Sequence, residues 1–245
     1  MANDLRRDSL GRTGVVGQLL VSLLPTLRTD GQRPTVLDCG GGSGTFAVPL
    51  AQAGASVTVV DISIDALATL TRRAAEGGVA EHIIGLQGDL ENQFDALGAS
   101  TFDLVLAHGV LEVLDDSAAG FAVMARVLAP GGVLSVLVTN PAAGVLSRAL
   151  AGDVPAALRE FGELDEREAR VGPTSVRALC ASHGLTVESV QGVGVFAELI
   201  PGAALDAPGV RESLAQLEAG SATRSPFTEI ASRQHLLARR ATAGQ

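Results

Sequence analysis

Asp38 and the four glycines close behind it, Gly40, Gly41, Gly42 and Gly44, are the residues whose types and spacing most directly imply chemistry. They fall in VLDCGGGSGTFAVPLA, residues 36–51, a short apolar run followed by a glycine cluster and then helical spacing. Glycine lets backbone approach a ligand closely, often at positive φ. A tight glycine turn between strand and helix presents a cofactor at the carboxyl end of the first strand of an α/β sheet. Here the glycines fall as G-x-G-x-G. A dinucleotide fingerprint calls for a third small residue after G-x-G-x-x, and counted from Gly40 that place holds Thr45. A phosphate loop needs Gly-Lys-Ser/Thr, and the chain has no lysine. A carboxylate at the loop entrance repels a pyrophosphate and suits a ligand bearing an ammonium and a sulfonium.

Further candidates stand where other strands end. Ser56–Val60 reads as a β-branched strand ending in Asp61, 17 residues beyond Gly44. A carboxylate there can accept from both hydroxyls of a ribose; a solvated loop acid is the plainer reading. Ile62 follows directly. Ile83–Leu86 reads as a third strand running into Gly88, Asp89 and Leu90. A carboxylate accepting from an exocyclic amine, beside a backbone N–H donating to a ring nitrogen, identifies an adenine edge, while an Asp that caps a turn is the alternative. Phe102–Ala107 is a continuous apolar run, as in a strand buried on both faces. It delivers His108 to the carboxyl end of a fourth strand, where open α/β sheets bind ligands.

The elements that must hold these residues alternate along the chain. A helix is expected over 14–29, another over Thr45–Ala53 closed by Gly54. The next, after Asp61, carries an apolar face at Ile64, Leu67 and Leu70. Ser117–Leu128 reads as a helix, APGG at 129–132 as its stop signal, and Val133–Val138 as a fifth strand. Strands alternating with helices call for a parallel sheet with right-handed crossovers. Beyond Asn140 come helical segments over 141–170 and a helix from Thr174 to His183. Leu185–Val195 then reads as a strand, Val210–Leu217 as a helix, and the closing TEIASRQHLLARR as a strand at the sheet edge.

The pattern D-x-G-x-G-x-G closely resembles the first motif of class I S-adenosylmethionine (SAM) methyltransferases. Read with LGRTGVV, Asp61, AHGVLEVLDD, LAPGGVLSVLVTN, GVGVFAEL and RQHLLARR, nearly the whole chain is similar to the bacterial tRNA 5-carboxymethoxyuridine methyltransferase family and its actinobacterial relatives. That resemblance implies a doubly wound Rossmann-like α/β fold with a mostly parallel seven-stranded sheet, one antiparallel edge strand and a helical insertion after the fifth strand. The whole chain, 1–245, would be one domain: an N-terminal helical segment 1–33, a SAM-binding core 34–140, and an acceptor-side and sheet-closing part 141–245. SAM would be the methyl donor and S-adenosylhomocysteine (SAH) the product. By the same resemblance Arg12 binds the SAM carboxylate, Gly40 and Gly41 pass the methionine moiety, Asp61 holds the ribose, Gly88 with Asp89 borders the adenine, and His108 completes the pocket; Asp38, Gly42, Gly44, Ile62 and Leu90 are counted with them as cofactor-binding residues. No residue is assigned as a catalytic base, since the need for one depends on the acceptor atom, and no metal is expected.

Composition narrows the partners. An apolar fraction of 47% supports a core, with only seven Phe and no Trp or Tyr. The net charge of −9 argues against a general polyanion binder, although the part after residue 140 is nearly balanced. Two cysteines make no disulfide framework, so a reduced cytoplasmic setting is expected. The apolar run Val15–Leu24 falls short of the roughly 20 residues that span a bilayer. The acceptor is either a carboxylate on a modified tRNA uridine or a small metabolite. An NAD-binding oxidoreductase and a non-catalytic adenosyl-binding module are the readings of other classes.

Overall fold

The computed structural model describes residues 13–28, 30–90, 97, 101–200, 204–205 and 207–242. Arg12, expected at the SAM carboxylate, lies outside these residues. The chain forms two compact units. The first holds Gly17–Val136, Leu179–Glu188 and the segment from Leu237; the second holds the segment up to Val16, Leu137–Ala178 and Ser189–Leu236, so the helix Thr13–Leu27 starts in the second unit and continues in the first.

In the first unit, helix α1 (Thr13–Leu27) precedes β1 (Thr35–Cys39), α2 (Ala47–Gln52), β2 (Ser56–Asp61) and α3 (Ile64–Glu76). Then come β3 (Ile83–Gln87), β4 (Phe102–His108) and α4 (Ser117–Arg126). Strand β1 pairs in parallel with β2 and β4, and β2 with β3. Asp38 stands level with Val59 on one side and Leu106 on the other. The strands carry β-branched and leucine side chains into a core that fully buries Leu37, Leu104, Leu106, Phe121 and Met124. Helix starts are set by polar caps: Ser63 Oγ accepts the Ala66 N–H at 3.2 Å and Asp116 Oδ1 the Ala119 N–H at 2.9 Å. Gly54, at φ 105°, ends the turn after α2 as expected.

Two local expectations change. Ile64 is 63% exposed, not part of the buried face; as the first residue of α3 its side chain has no preceding turn to cover, and Leu70 does the burying. Strand β5 runs Leu128–Thr139, so APGG lies inside it. Gly131 there takes φ 79°, which a glycine allows and which marks an irregularity in the strand. Arg239 Nη1 donates to Gly131 O at 2.9 Å. Arg240 Nη1 donates to Ala125 O at 3.2 Å, a carbonyl that the end of α4 leaves open, and to Leu128 O at 2.8 Å at the start of β5.

The second unit holds α5 (Pro141–Leu150), α6 (Val154–Gly162) and α7 (Leu164–Val171), the helical insertion expected after the fifth strand. Helix α8 (Pro173–Ser182), β6 (Leu185–Val193), α9 (Val210–Ser221), α10 (Phe227–Ile230) and β7 (Arg233–Arg240) follow in the chain. Asn140 and Asp153 cap α5 and α6, accepting from Ala142 N–H and Ala156 N–H. Glu218 on α9 is 4% exposed, and its carboxylate accepts three backbone N–H groups: Val195 at 3.0 Å, Phe196 at 2.8 Å and Ala197 at 2.7 Å. That ties down the chain leaving β6.

The seven strands order as β3-β2-β1-β4-β5-β7-β6, mostly parallel with antiparallel pairing toward one edge. β7 sits between β5 and β6, so the last strand in the chain does not close the edge; β6 does. The burial of β7 explains the place. Gln234 to Ala238 are all buried, a run that suits an interior strand covered on both faces. Among the described residues no helix is long and apolar enough to cross a membrane.

Candidate active site

The first unit places its candidate residues at the carboxyl ends of β1, β2, β3 and β4. The loop after β1 turns on glycine: Gly40, Gly42 and Gly44 have φ of 67°, 55° and 79°. These left-handed values are ones that side chains rarely adopt. Gly41 meets a different constraint, because a Cβ there would fall into the Asp38 carboxyl group. At Gly44 a Cβ would run into Leu70. The loop is anchored by Gly40 N–H to Val60 O at 2.8 Å and by Arg73, whose Nη1 donates to Ser43 O at 3.0 Å.

Asp61 at the end of β2 is locked by backbone. Its Oδ2 accepts the Gly42 N–H at 2.9 Å and its Oδ1 the Ser63 N–H at 2.8 Å. A carboxylate oxygen has two lone pairs, so each keeps an acceptor site after these bonds. The first strand's acid behaves differently. Asp38 is 1% exposed, beneath Gly41, and Oδ2 has no hydrogen-bond partner among the described residues. Burial, helped by the nearby Asp61 charge, raises its pKa from 3.8 to about 7. The neighbouring Cys39 thiol is pushed up as well, by burial first and then by Asp38. Asp38 therefore underlies the loop and does not line a surface.

A cavity of about 330 Å³ opens over this loop, lined by Gly40, Asp61, Ile62, Gly88, Asp89, Leu90 and His108 among others. The structure thus brings these sequence candidates together, and leaves Asp38, Gly41, Gly42 and Gly44 as the frame behind the wall. Gly109, Val110, Val113, Leu114 and Asp115 also line it. Sequence reasoning had singled out AHGVLEVLDD as a segment without assigning these positions; the short 3₁₀ turn Leu111–Val113 folds them toward the cavity. His108 is half-buried, its Nε2 2.8 Å from Ser135 Oγ and its ring edge-on to Phe46 at 4.6 Å between centroids. Serine and phenylalanine fix the ring's orientation.

The donor set fits a SAM-like ligand. Among the described residues the lining carries three carboxylates, Asp61, Asp89 and Asp115, a field that suits a cation and opposes a pyrophosphate. Ile62 and Val113 expose 72% and 76% of their surface beside the cavity, apolar area that a planar base would cover.

Comparison with known proteins agrees. A profile of the methyltransferase domain family matches residues 36–132. The ubiquinone biosynthesis O-methyltransferase of Caulobacter sp. (strain K31) is 35% identical over 125 residues, 51% of this chain and 48% of that protein. The tRNA 5-carboxymethoxyuridine methyltransferase of Escherichia coli (strain K12) is 30% identical over 122 residues, 50% of this chain and 46% of that protein. The chain therefore spans about half the length of these relatives, and the likeness to the tRNA enzyme is narrower than the near full-length reading of motifs suggested. The plantazolicin methyltransferase solved with a triazolic desmethylPZN analog and SAH shares the fold at a TM-score of 0.61 and 13% identity, covering 98% of this chain and 90% of that one. Glycine loop, strand-end carboxylates, fold and profile converge: residues 36–132 match the methyltransferase domain family, a match over less than half of the chain.

Proposed function

We propose that the protein transfers a methyl group from SAM to a small-molecule acceptor. The cavity in the first unit carries the reading, because it sets Asp61 and Gly88-Asp89-Leu90 around one space above the glycine loop. In it Asp61 would accept the two ribose hydroxyls, already aimed by Gly42 and Ser63. Asp89 and the backbone beside it would meet the adenine edge, with Ile62 and Leu90 against the ring. Gly40 would pass the methionine portion, backed by the rest of the glycine loop, and His108 would border it. SAM supplies an electrophilic methyl on a sulfonium, which leaves a neutral thioether. The protein's task is then to orient and to exclude water. No side chain is assigned as a general base.

A tRNA acceptor is the second reading, favoured by the 30% identity to the tRNA enzyme. The net charge of −9 without a lysine weighs against it. Incubation with tritium-labelled SAM and fractionated cell extract tests both. Label in the small-molecule fraction supports the proposal, and label confined to tRNA supports the second reading. SAH binding with no transfer to any fraction would leave an adenosyl-binding module.

A further inference from the structure

We propose that the second unit binds a small amphiphilic carboxylate. The observation is a second cavity of about 280 Å³, lined by residues of α5, α6 and α7, the 194–199 segment, Ile230 and Ser232. Its size lies near the lower end of small-molecule sites, which run about 300–1,000 Å³. One side is apolar, with Ala143, Leu146, Val195, Leu199 and Ile230. The other holds Arg148, Glu160 and Arg167.

These three form one unit. Glu160 Oε1 accepts from Arg148 Nε at 2.9 Å and Oε2 from Arg167 Nη1 at 3.4 Å. Hydrogen bonding from Arg148 holds the Glu160 carboxyl below its ordinary pKa, so it stays ionised at neutral pH. Gly144 makes room, since a Cβ there would come within 2.9 Å of Glu160 Oε2. Glu160 is committed on both oxygens, whereas each guanidinium, with five N–H donors, spends only one of them on it. Arg148 keeps both Nη groups and Arg167 keeps Nε and Nη2, paired donors that match a carboxylate. The triad carries a net charge of +1, and Glu198 brings the charged lining to zero, so an anion there is held by the paired guanidinium donors and a dianionic phosphate is disfavoured. The apolar side then takes the rest of the molecule.

The test uses the full chain saturated with SAH and three matched probes: 3-phenylpropanoate, its amide and 3-phenylpropylamine. The acid should bind best. Arg148→Gln and Arg167→Gln should each weaken it roughly tenfold or more, the scale of a lost charged hydrogen bond. The SAH dissociation constant should not move. Both side chains are well exposed, at 56% and 40%, so the variants fold. Equal binding of acid and amide, tightest binding of the amine, or acid binding unmoved by both substitutions overturns the site. Failure of the protein to bind SAH would remove the methyltransferase reading and leave the carboxylate site standing.

Discussion

Asp38 gives a prediction whose size follows from the structure. The fold raises its pKa from 3.8 to about 7, through burial first and Asp61 second. A raised folded value means that the native state holds this proton over a range in which the unfolded chain has lost it. Stability from this group is complete below pH 3.8 and drains away as pH climbs to about 7. At about 1.4 kcal/mol per pKa unit the whole effect is roughly 4 kcal/mol. Between about pH 5 and about pH 8 the part that falls away is about 3 kcal/mol. Asp38→Asn keeps the shape and cannot ionise. Its fixed cost, from placing an amide where Oδ2 has no partner, cancels when two pH values are compared. The chain has no Trp or Tyr, so urea unfolding is followed by far-ultraviolet circular dichroism. The variant should gain on the wild type by about 3 kcal/mol in going from about pH 5 to about pH 8. A gap that is the same at both pH values would refute the reasoning and show Asp38 ionised in the native state throughout.

Two further substitutions probe the frame. Gly44→Ala should weaken SAH binding, because φ 79° costs a side chain about 1–2 kcal/mol and the new Cβ meets Leu70. Adding Leu70→Ala removes the clash but not the strain, so calorimetry should show partial recovery of affinity in the double variant. Glu218→Gln should destabilise the protein by about 1–3 kcal/mol in denaturant unfolding, since an amide cannot accept all three N–H groups of residues 195–197.

The parts of the site that could be read from sequence are those where a residue type answers a local backbone demand. Gly40, Gly42 and Gly44 do take left-handed φ, and Asp61 and Asp89 do stand where parallel strands end. Elements with a strong period or a polar cap, such as α3 and α4, were also legible. What escaped depends on partners distant in the chain. Asp38 looked like a ligand contact, yet the placement of Gly41 over it makes it a buried support. β7 looked like an edge because it comes last, yet burial of both its faces puts it between β5 and β6. APGG looked like a turn, but it lies within β5, where Arg239, more than a hundred residues away, binds the Gly131 carbonyl. The Glu218 nest had no sequence signal, since an acid on a helix is ordinarily exposed.

The central claim is that the cavity over the glycine loop holds an adenosyl sulfonium compound through Asp61. Calorimetry of wild type and Asp61→Asn with SAH, SAM and NAD tests it directly. The wild type should bind both sulfur ligands and not NAD. Asp61→Asn should weaken SAH by about 1–3 kcal/mol, because one amide cannot accept from Gly42, Ser63 and both ribose hydroxyls. Binding of NAD with none to SAH or SAM, or SAH binding unchanged by Asp61→Asn, would contradict the account.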